Sequence, residues 1–279
     1  MEPAPFTSIA ELDQRYHTLL FDAYGVLINS EHALPGAVAL IDSLNRRGKP
    51  YFVVTNGSQL TEEATAHHYQ KLGLAIAPEQ IVSSGALVGN WARENQLCES
   101  PTVVLGPRSC QQLMRASGLS ALLEHDAEEF DVLVVGNQDG YPLLETLNHI
   151  ISRLYAFMER GKEFRLVLPN PDLVYPTSRG VGITGGMIAE IISRALVQRF
   201  PRDTPRFECL GKPYAPIFAE AKKRAKTSSL VLIGDQLATD IKGARDAGMD
   251  SVLMATGLAK FSELAFSEIQ PTYLLKALD

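Results

Sequence analysis

The segment Thr18-Leu19-Leu20-Phe21-Asp22-Ala23-Tyr24-Gly25 decides how the chain is read. A short apolar run ends on an aspartate, and a glycine follows three residues later. Such a run, bounded by turn chemistry, predicts a strand buried in a parallel sheet. The carboxylate at its end then stands at the sheet edge where ligands gather in open α/β folds. There it can serve as a nucleophile or a metal ligand. An aspartate that merely caps the next turn is the plainer alternative.

Outward from this strand the pattern alternates. Ala37 to Asn45 predicts a helix, with Ala37, Leu40, Ile41 and Leu44 at helical spacing and a stop near Gly48. Tyr51 to Val54 predicts the next strand. A helix opens at Thr61, with Glu62 and Glu63 in its first turn where carboxylates suit the helix dipole, and runs to Leu72. Gln80 to Ser83 and Gly85 to Asn95 predict a further strand and helix. This alternation implies a doubly wound parallel sheet of Rossmann type, covered on both faces.

A second alternation follows, with strands at Val103 to Leu105, Val132 to Val135 and Leu166 to Leu168, and helices at Leu143 to Arg160 and Met187 to Val197. It is bounded by Leu97 to Pro101 and by Phe200 to Thr204, both polar and broken by proline. These two segments predict hinges around an inserted α/β domain of domain size. The expected division is 1–96 and 206–279 for the core and 97–205 for the insertion. After the second hinge come a helix from Ala215 to Lys226, a strand at Leu230 to Ile233, a helix from Asp240 to Ala247, and strands at Ser251 to Met254 and Pro271 to Leu275.

Composition narrows the classes. The chain has 279 residues, is 46% hydrophobic and carries a formal charge of −6, which gives no electrostatic footprint for nucleic acid. No run approaches ~18 consecutive apolar residues, so no spanning helix is expected. Met1 to Asp13 lacks a basic-then-apolar signal pattern. Cys98, Cys110 and Cys209 are scattered and form neither a metal-ligand nor a redox spacing. A cytoplasmic protein with a sizeable core is expected.

Three more polar clusters follow apolar runs or sit in connecting loops. Thr55-Asn56-Gly57-Ser58 offers a hydroxyl, an amide and flexible backbone able to grip a phosphate oxygen; a plain turn is the simpler reading. Lys212, in Leu210-Gly211-Lys212-Pro213, can present a point positive charge to an anion, although most lysines are solvated surface residues. Gly234-Asp235-Gln236-Leu237-Ala238-Thr239-Asp240 places two carboxylates at a strand-to-helix turn, a hard-oxygen set suited to Mg²⁺. Asp240 can instead cap the helix. Asp235 is expected to face Asp22 across the sheet edge, where two carboxylates repel unless a cation or a proton separates them.

Taken together and in this order, the four clusters resemble the motifs of the haloacid dehalogenase (HAD) superfamily. An insertion between the second and third motifs is similar to that of the class IIA, NagD-like phosphatases. Leu34-Pro35-Gly36-Ala37, Lys71-Leu72-Gly73, Ile81-Val82-Ser83-Ser84, Asp131 to Gly136, Asn170-Pro171-Asp172, Tyr175-Pro176-Thr177 and Gly248-Met249 through Thr256-Gly257 extend the resemblance over roughly residues 15 to 275. The resemblance implies a HAD core with an α/β cap. It also implies a Mg²⁺-dependent hydrolase of small phosphorylated metabolites, such as sugar phosphates or nucleotides. Asp22 would be the nucleophile, with an aspartyl-phosphate formed on it. Asp22, Asp235, Asp240 and the backbone carbonyl of Tyr24 would serve the metal, Asp240 through metal-bound waters. Thr55 and the Asn56 amide would hold phosphoryl oxygens, and Lys212 would offset negative charge. Asp172 is a candidate substrate contact from the cap. A homodimer through the cap is a further expectation from the same resemblance.

Tyr24 departs from the pattern. Phosphatases of this superfamily usually carry a second aspartate there, which protonates the leaving alcohol and later activates water. A phenol with an ordinary pKa near ~10 is a poor substitute at neutral pH. General acid–base help is worth roughly 10²–10⁴-fold, so a slow phosphatase, or one restricted to good leaving groups, is expected. Two alternatives stay open. Phe21-Asp22-Ala23-Tyr24-Gly25 also looks like the first motif of 2-haloacid dehalogenases, but those need no metal and carry their cap just after this motif. A degenerate HAD protein that binds a phosphorylated ligand without turnover is the other.

Remaining polar residues have plainer readings. His67 and His68 lie on a predicted helix, His125 in a solvated turn, and Gln138, Asp139 and Tyr141 in a surface loop. Trp91 is expected to pack its helix onto the core, and Cys98 to be inert. Thr184-Gly185-Gly186 reads as the start of a helix.

Overall fold

A computed structural model describes residues 4–29, 31–177, 180–254 and 261–278. Thr256 and Gly257 lie outside the described residues. In chain order the elements begin with α1 (Ile9–Arg15), β1 (Thr18–Phe21), α2 (Ala37–Arg47), β2 (Tyr51–Thr55), α3 (Glu62–Lys71), β3 (Ile81–Ser83) and α4 (Leu87–Glu94). Next come β4 (Thr102–Leu105), α5 (Arg108–Ala116), β5 (Leu122–Leu123), β6 (Val132–Val135), α6 (Leu143–Glu159) and β7 (Arg165–Leu168). Then follow β8 (Val174–Thr177), β9 (Gly180–Ile183), α7 (Gly185–Arg199), β10 (Phe207–Cys209) and α8 (Ala215–Ala225). The chain ends with β11 (Leu230–Gly234), α9 (Lys242–Asp246), β12 (Asp250–Met254) and β13 (Tyr273–Leu275).

The chain forms two compact units, one of Met1–Thr55, Glu62–Ser83 and Lys212–Asp279, the other of Asn56–Thr61 and Ser84–Gly211. The first holds a six-stranded sheet in the order β13-β12-β11-β1-β2-β3, parallel throughout. Strand order reverses between β1 and β11, which makes their carboxyl ends the topological switch point of a doubly wound sheet. All four residues of β1 are buried, as the unbroken apolar run requires. Helix α2 buries Ala37, Leu40, Ile41 and Leu44, and ends at Gly48 in the left-handed conformation.

The second unit carries its own five-stranded parallel sheet, ordered β10-β7-β6-β4-β5, plus the antiparallel ribbon β8-β9. Its core includes Phe130, Leu133, Ile150, Leu154, Phe157, Ile188 and Ile192. Helix α7 starts at Gly185 because Thr184 caps it, its side chain accepting from the Gly186 amide. The expected start of a helix at the glycine pair is therefore met.

The division falls elsewhere than at 97 and 205. Strand β10, inside the stretch assigned to the core, pairs with β7. Trp91 of α4 donates to Glu208 of β10 at 2.8 Å, and Arg165 of β7 pairs with the same carboxylate. These bonds tie residues 84–96 and 206–211 into the second unit, so Trp91 packs there rather than on the first sheet. The loop Asn56–Thr61 joins that unit too. Ser58 Oγ donates to Gly136 O at 2.6 Å, at the carboxyl end of β6.

Candidate active site at the switch point of the first sheet

Asp22 follows β1 directly, and its amide donates to Ile233 O of β11 at 2.8 Å. That bond continues the ladder one residue beyond the strand and fixes the aspartate at the sheet edge. Asp22 Oδ1 accepts from the Ala23 amide at 2.6 Å and from Lys212 Nζ at 2.7 Å. Lys212 Nζ also lies 2.7 Å from Asp240 Oδ1. Asp22, Lys212, Asp235 and Asp240 are all buried. Oxygens of the three carboxylates lie within 4.8 Å of one another.

Glycine makes this crowding sterically possible. A Cβ on Gly25 would overlap Asp235 Oδ2, and Gly25 has φ +82, where side chains are strained. A Cβ on Gly234 would overlap the Asp240 side chain. Asp240 does not begin the helix expected from Asp240 to Ala247. It lies in one wide turn, Leu237–Ile241, in which the Ile241 amide reaches back to Gln236 O at 3.2 Å. Widened turns of this kind recur at functional sites. Here the turn returns the carboxylate toward the strand end, where Oδ2 accepts from the Gln236 amide at 3.1 Å.

Three carboxylates against one ammonium leave two formal negative charges in a buried cluster. Burial pushes the Asp22 carboxyl well above the usual carboxylate range. The Asp240 and Asp235 charges push the same way, and Lys212 opposes them. Burial also works against the Lys212 charge, but the Asp22 and Asp240 carboxylates outweigh it and hold the ammonium above the ordinary lysine range. The donor set is all carboxylate oxygen, with no nitrogen or sulfur ligand, and its charge deficit matches a hard divalent cation. The residues present therefore fit Mg²⁺.

Thr55 ends β2 on the same sheet, paired with Ser83, and is buried. Tyr24 is 48% exposed, and the Gly25 amide beside it bonds Ile28 O. The structure thus gathers Asp22, Lys212, Asp235 and Asp240 in one cluster, with Thr55 at the end of the strand beside β1. Asn56 and Asp172 belong to the second unit, where they meet each other, Asn56 Nδ2 donating to Asp172 Oδ1 at 3.1 Å. The Asp172 carbonyl accepts from Thr184 Oγ1, and a Cβ on Gly186 would overlap that carbonyl.

Sequence reasoning missed Tyr69. It is buried in α3, and burial holds its phenol above the ordinary tyrosine range, with the Thr55 side chain opposing that shift. Its only sequence signal is the spacing Ala66 to Tyr69, which a core residue would produce equally. His67 is exposed and His68 lies against Tyr69. Tyr141 donates to Asn137 O and Gln138 to Asp139, a locally bonded loop as expected.

A parallel sheet with reversed strand order thus carries a buried acidic cluster with a lysine at its switch point, where doubly wound α/β folds bind their ligands. Two family models match, one described as haloacid dehalogenase-like hydrolase over residues 19–120 and one as HAD-hydrolase-like over residues 209–279. The chain belongs to the HAD-like hydrolases, in the NagD-type branch. An acid sugar phosphatase of Staphylococcus haemolyticus is 26% identical over 269 residues, covering 95% of each chain. The crystal structure of a possible sugar phosphatase from Cytophaga hutchinsonii superposes with a TM-score of 0.85 at 26% identity, covering 99% of this chain and 98% of that one. A mutant of the thermostable p-nitrophenylphosphatase from Bacillus stearothermophilus gives 0.72 at 27% identity, over 95% and 97%. These relatives are phosphoric monoester hydrolases by name, and the fold and family of this chain agree with theirs. No helix among the described residues is long and apolar enough to cross a membrane.

Proposed function

We propose that the protein hydrolyses small phosphate monoesters, sugar phosphates among them, with Asp22 as nucleophile. The observation that carries this reading is the buried cluster of Asp22, Lys212, Asp235 and Asp240 at the switch point. The names of the relatives agree with it. Asp22 attacks phosphorus, an Asp22–phosphorus bond forms and the ester oxygen–phosphorus bond breaks. Water then cleaves the aspartyl-phosphate, which returns the carboxylate and releases inorganic phosphate. Lys212 holds Asp22 in place and offsets charge as the phosphoryl group approaches. Thr55 donates to a phosphoryl oxygen, and the Asn56 amide is assigned the same task. Asp22, Asp235, Asp240 and the Tyr24 carbonyl would hold Mg²⁺, which neutralises charge between the carboxylates and a phosphate dianion when bound.

Tyr24 has no carboxylate to protonate the leaving oxygen, so esters of acidic alcohols turn over fastest. A binding role without turnover is favoured by the same residue. Phosphate release from p-nitrophenyl phosphate and from sugar phosphates, with and without Mg²⁺, separates the two readings. Mg²⁺-dependent release by the wild type that is lost in Asp22→Asn supports catalysis. No release from either substrate class rules it out.

A further inference from the structure

The sheet of the second unit is doubly wound as well. From β4 the chain steps to β5 on one side, then crosses to β6, β7 and β10 on the other, so the carboxyl ends of β4 and β6 form a switch point of their own. Ligands gather at such points in open α/β sheets. Here the place is taken by the chain's own residues. Ser58 is buried, and its Oγ donates to Gly136 O, directly after β6, at 2.6 Å. Its carbonyl accepts from Cys110 Sγ, in the first turn of α5, at 3.5 Å. The two residues before it are held in turn. Gly57 O accepts from the Gly85 amide at 3.1 Å, and Asn56 Nδ2 donates to Asp172 Oδ1 at 3.1 Å. A Cβ on Gly85 would lie 2.8 Å from Ser58 Cα. Asn56 and Ser58 are buried, while Gly57 between them is exposed.

We infer that Ser58 is a positioning residue for the phosphoryl group, its bond to Gly136 O fixing the loop that carries the Asn56 amide. This rests on the reading of that amide as a phosphoryl ligand. Glycine has the widest backbone freedom of any residue, so Asn56-Gly57-Ser58 keeps one shape only where the residues beside Gly57 are pinned. Asn56 is pinned through its carboxamide, and Ser58 through its hydroxyl and its carbonyl. An amide grips an anion best when it is aimed before the anion arrives, because ordering a loop on binding costs affinity. Without the Ser58 hydroxyl the loop gains shapes in which the Asn56 amide points elsewhere. Only the correctly shaped fraction then binds phosphate, and apparent affinity falls with that fraction.

The test combines amide hydrogen exchange, calorimetric titration of inorganic phosphate, and KM and kcat for p-nitrophenyl phosphate, all with Mg²⁺ present. In Ser58→Ala, exchange should quicken in peptides spanning residues 56–58 and stay as in wild type in the strands of both sheets. General destabilisation would not confine the change to that loop. Phosphate affinity should fall and KM rise, both roughly three- to tenfold, with kcat falling less. Gly85→Ala, which displaces the Ser58 backbone and keeps its hydroxyl, is read by the same criteria if Ser58→Ala folds poorly. Unchanged exchange at residues 56–58, or unchanged phosphate affinity and KM, would overturn the inference while leaving the phosphatase reading intact. A wild type that binds phosphate but releases none from the ester would sink the catalytic reading alone, since phosphate affinity in Ser58→Ala still decides the inference. A wild type that binds no phosphate would sink both.

Discussion

Lys212 Nζ lies 2.7 Å from Asp22 Oδ1, with both side chains buried at the end of a parallel sheet. The same nitrogen holds Asp240 at 2.7 Å, so one ammonium orders two of the three carboxylates.

Removing that ammonium leaves buried carboxylates without their partner, a change that costs about 3–5 kcal/mol when a buried pair is broken. Lys212→Met should therefore unfold at lower urea than wild type and lose phosphatase activity. The loss should depend on pH. Burial already raises Asp22 in the wild type, and without Lys212 its folded pKa rises further. A carboxyl raised on folding is no penalty while it is protonated in both states, and it costs stability once pH exceeds its unfolded value. Lys212→Met should consequently fall further below wild type at pH 8 than at pH 5, which urea titrations at the two pH values would measure. An equal deficit at both would contradict the assignment.

Mg²⁺ should stabilise the wild type and bind weakly to Asp235→Asn. A ligand that binds only the folded state adds about 2.7 kcal/mol at a hundredfold excess over its Kd. Thermal unfolding with and without Mg²⁺ reads this directly and needs no substrate. A melting temperature that Mg²⁺ leaves unmoved, or moves equally in Asp235→Asn, would count against the metal site.

Gly25→Ala should damage the site while sparing most of the fold. Its Cβ would overlap Asp235 Oδ2, and φ +82 disfavours any side chain. The expected cost is roughly 1–3 kcal/mol, with Mg²⁺ affinity lowered at least tenfold. Alanine at Gly48, where a Cβ meets nothing, is the control for strain alone.

Tyr24→Asp should raise turnover of sugar phosphates by roughly 10²–10⁴-fold, the usual worth of general acid–base help. Turnover of p-nitrophenyl phosphate should gain less, because its leaving group departs without a proton. Equal gains on both would show that Tyr24 limits something other than leaving-group protonation.

Much of this site was legible because strand ends are legible. Asp22 and Asp235 each follow an unbroken apolar run, and parallel pairing brings those runs side by side at the switch point. Asp240 was legible but its turn was not, because one widened turn of five residues is too short to leave a spacing signal of its own. Tyr69 was hidden because its periodicity marks it as core. In the second unit, Phe207–Cys209 is too short and too polar in the middle to announce a strand, and Pro176 masks the ribbon at Val174–Thr177. Neither was expected as a strand, and Phe207–Cys209, lying beyond residue 205, fell to the core, which ended the expected insertion too early.

The most direct test of the account traps the covalent intermediate. Wild-type protein is mixed with p-nitrophenyl phosphate and Mg²⁺, quenched in acid within a turnover, digested and analysed by mass spectrometry. A phosphoryl group is expected on Asp22 and is absent from Asp22→Asn. Steady turnover with the phosphoryl group on another residue, or with none captured on Asp22 when the quench is faster than hydrolysis, would contradict it.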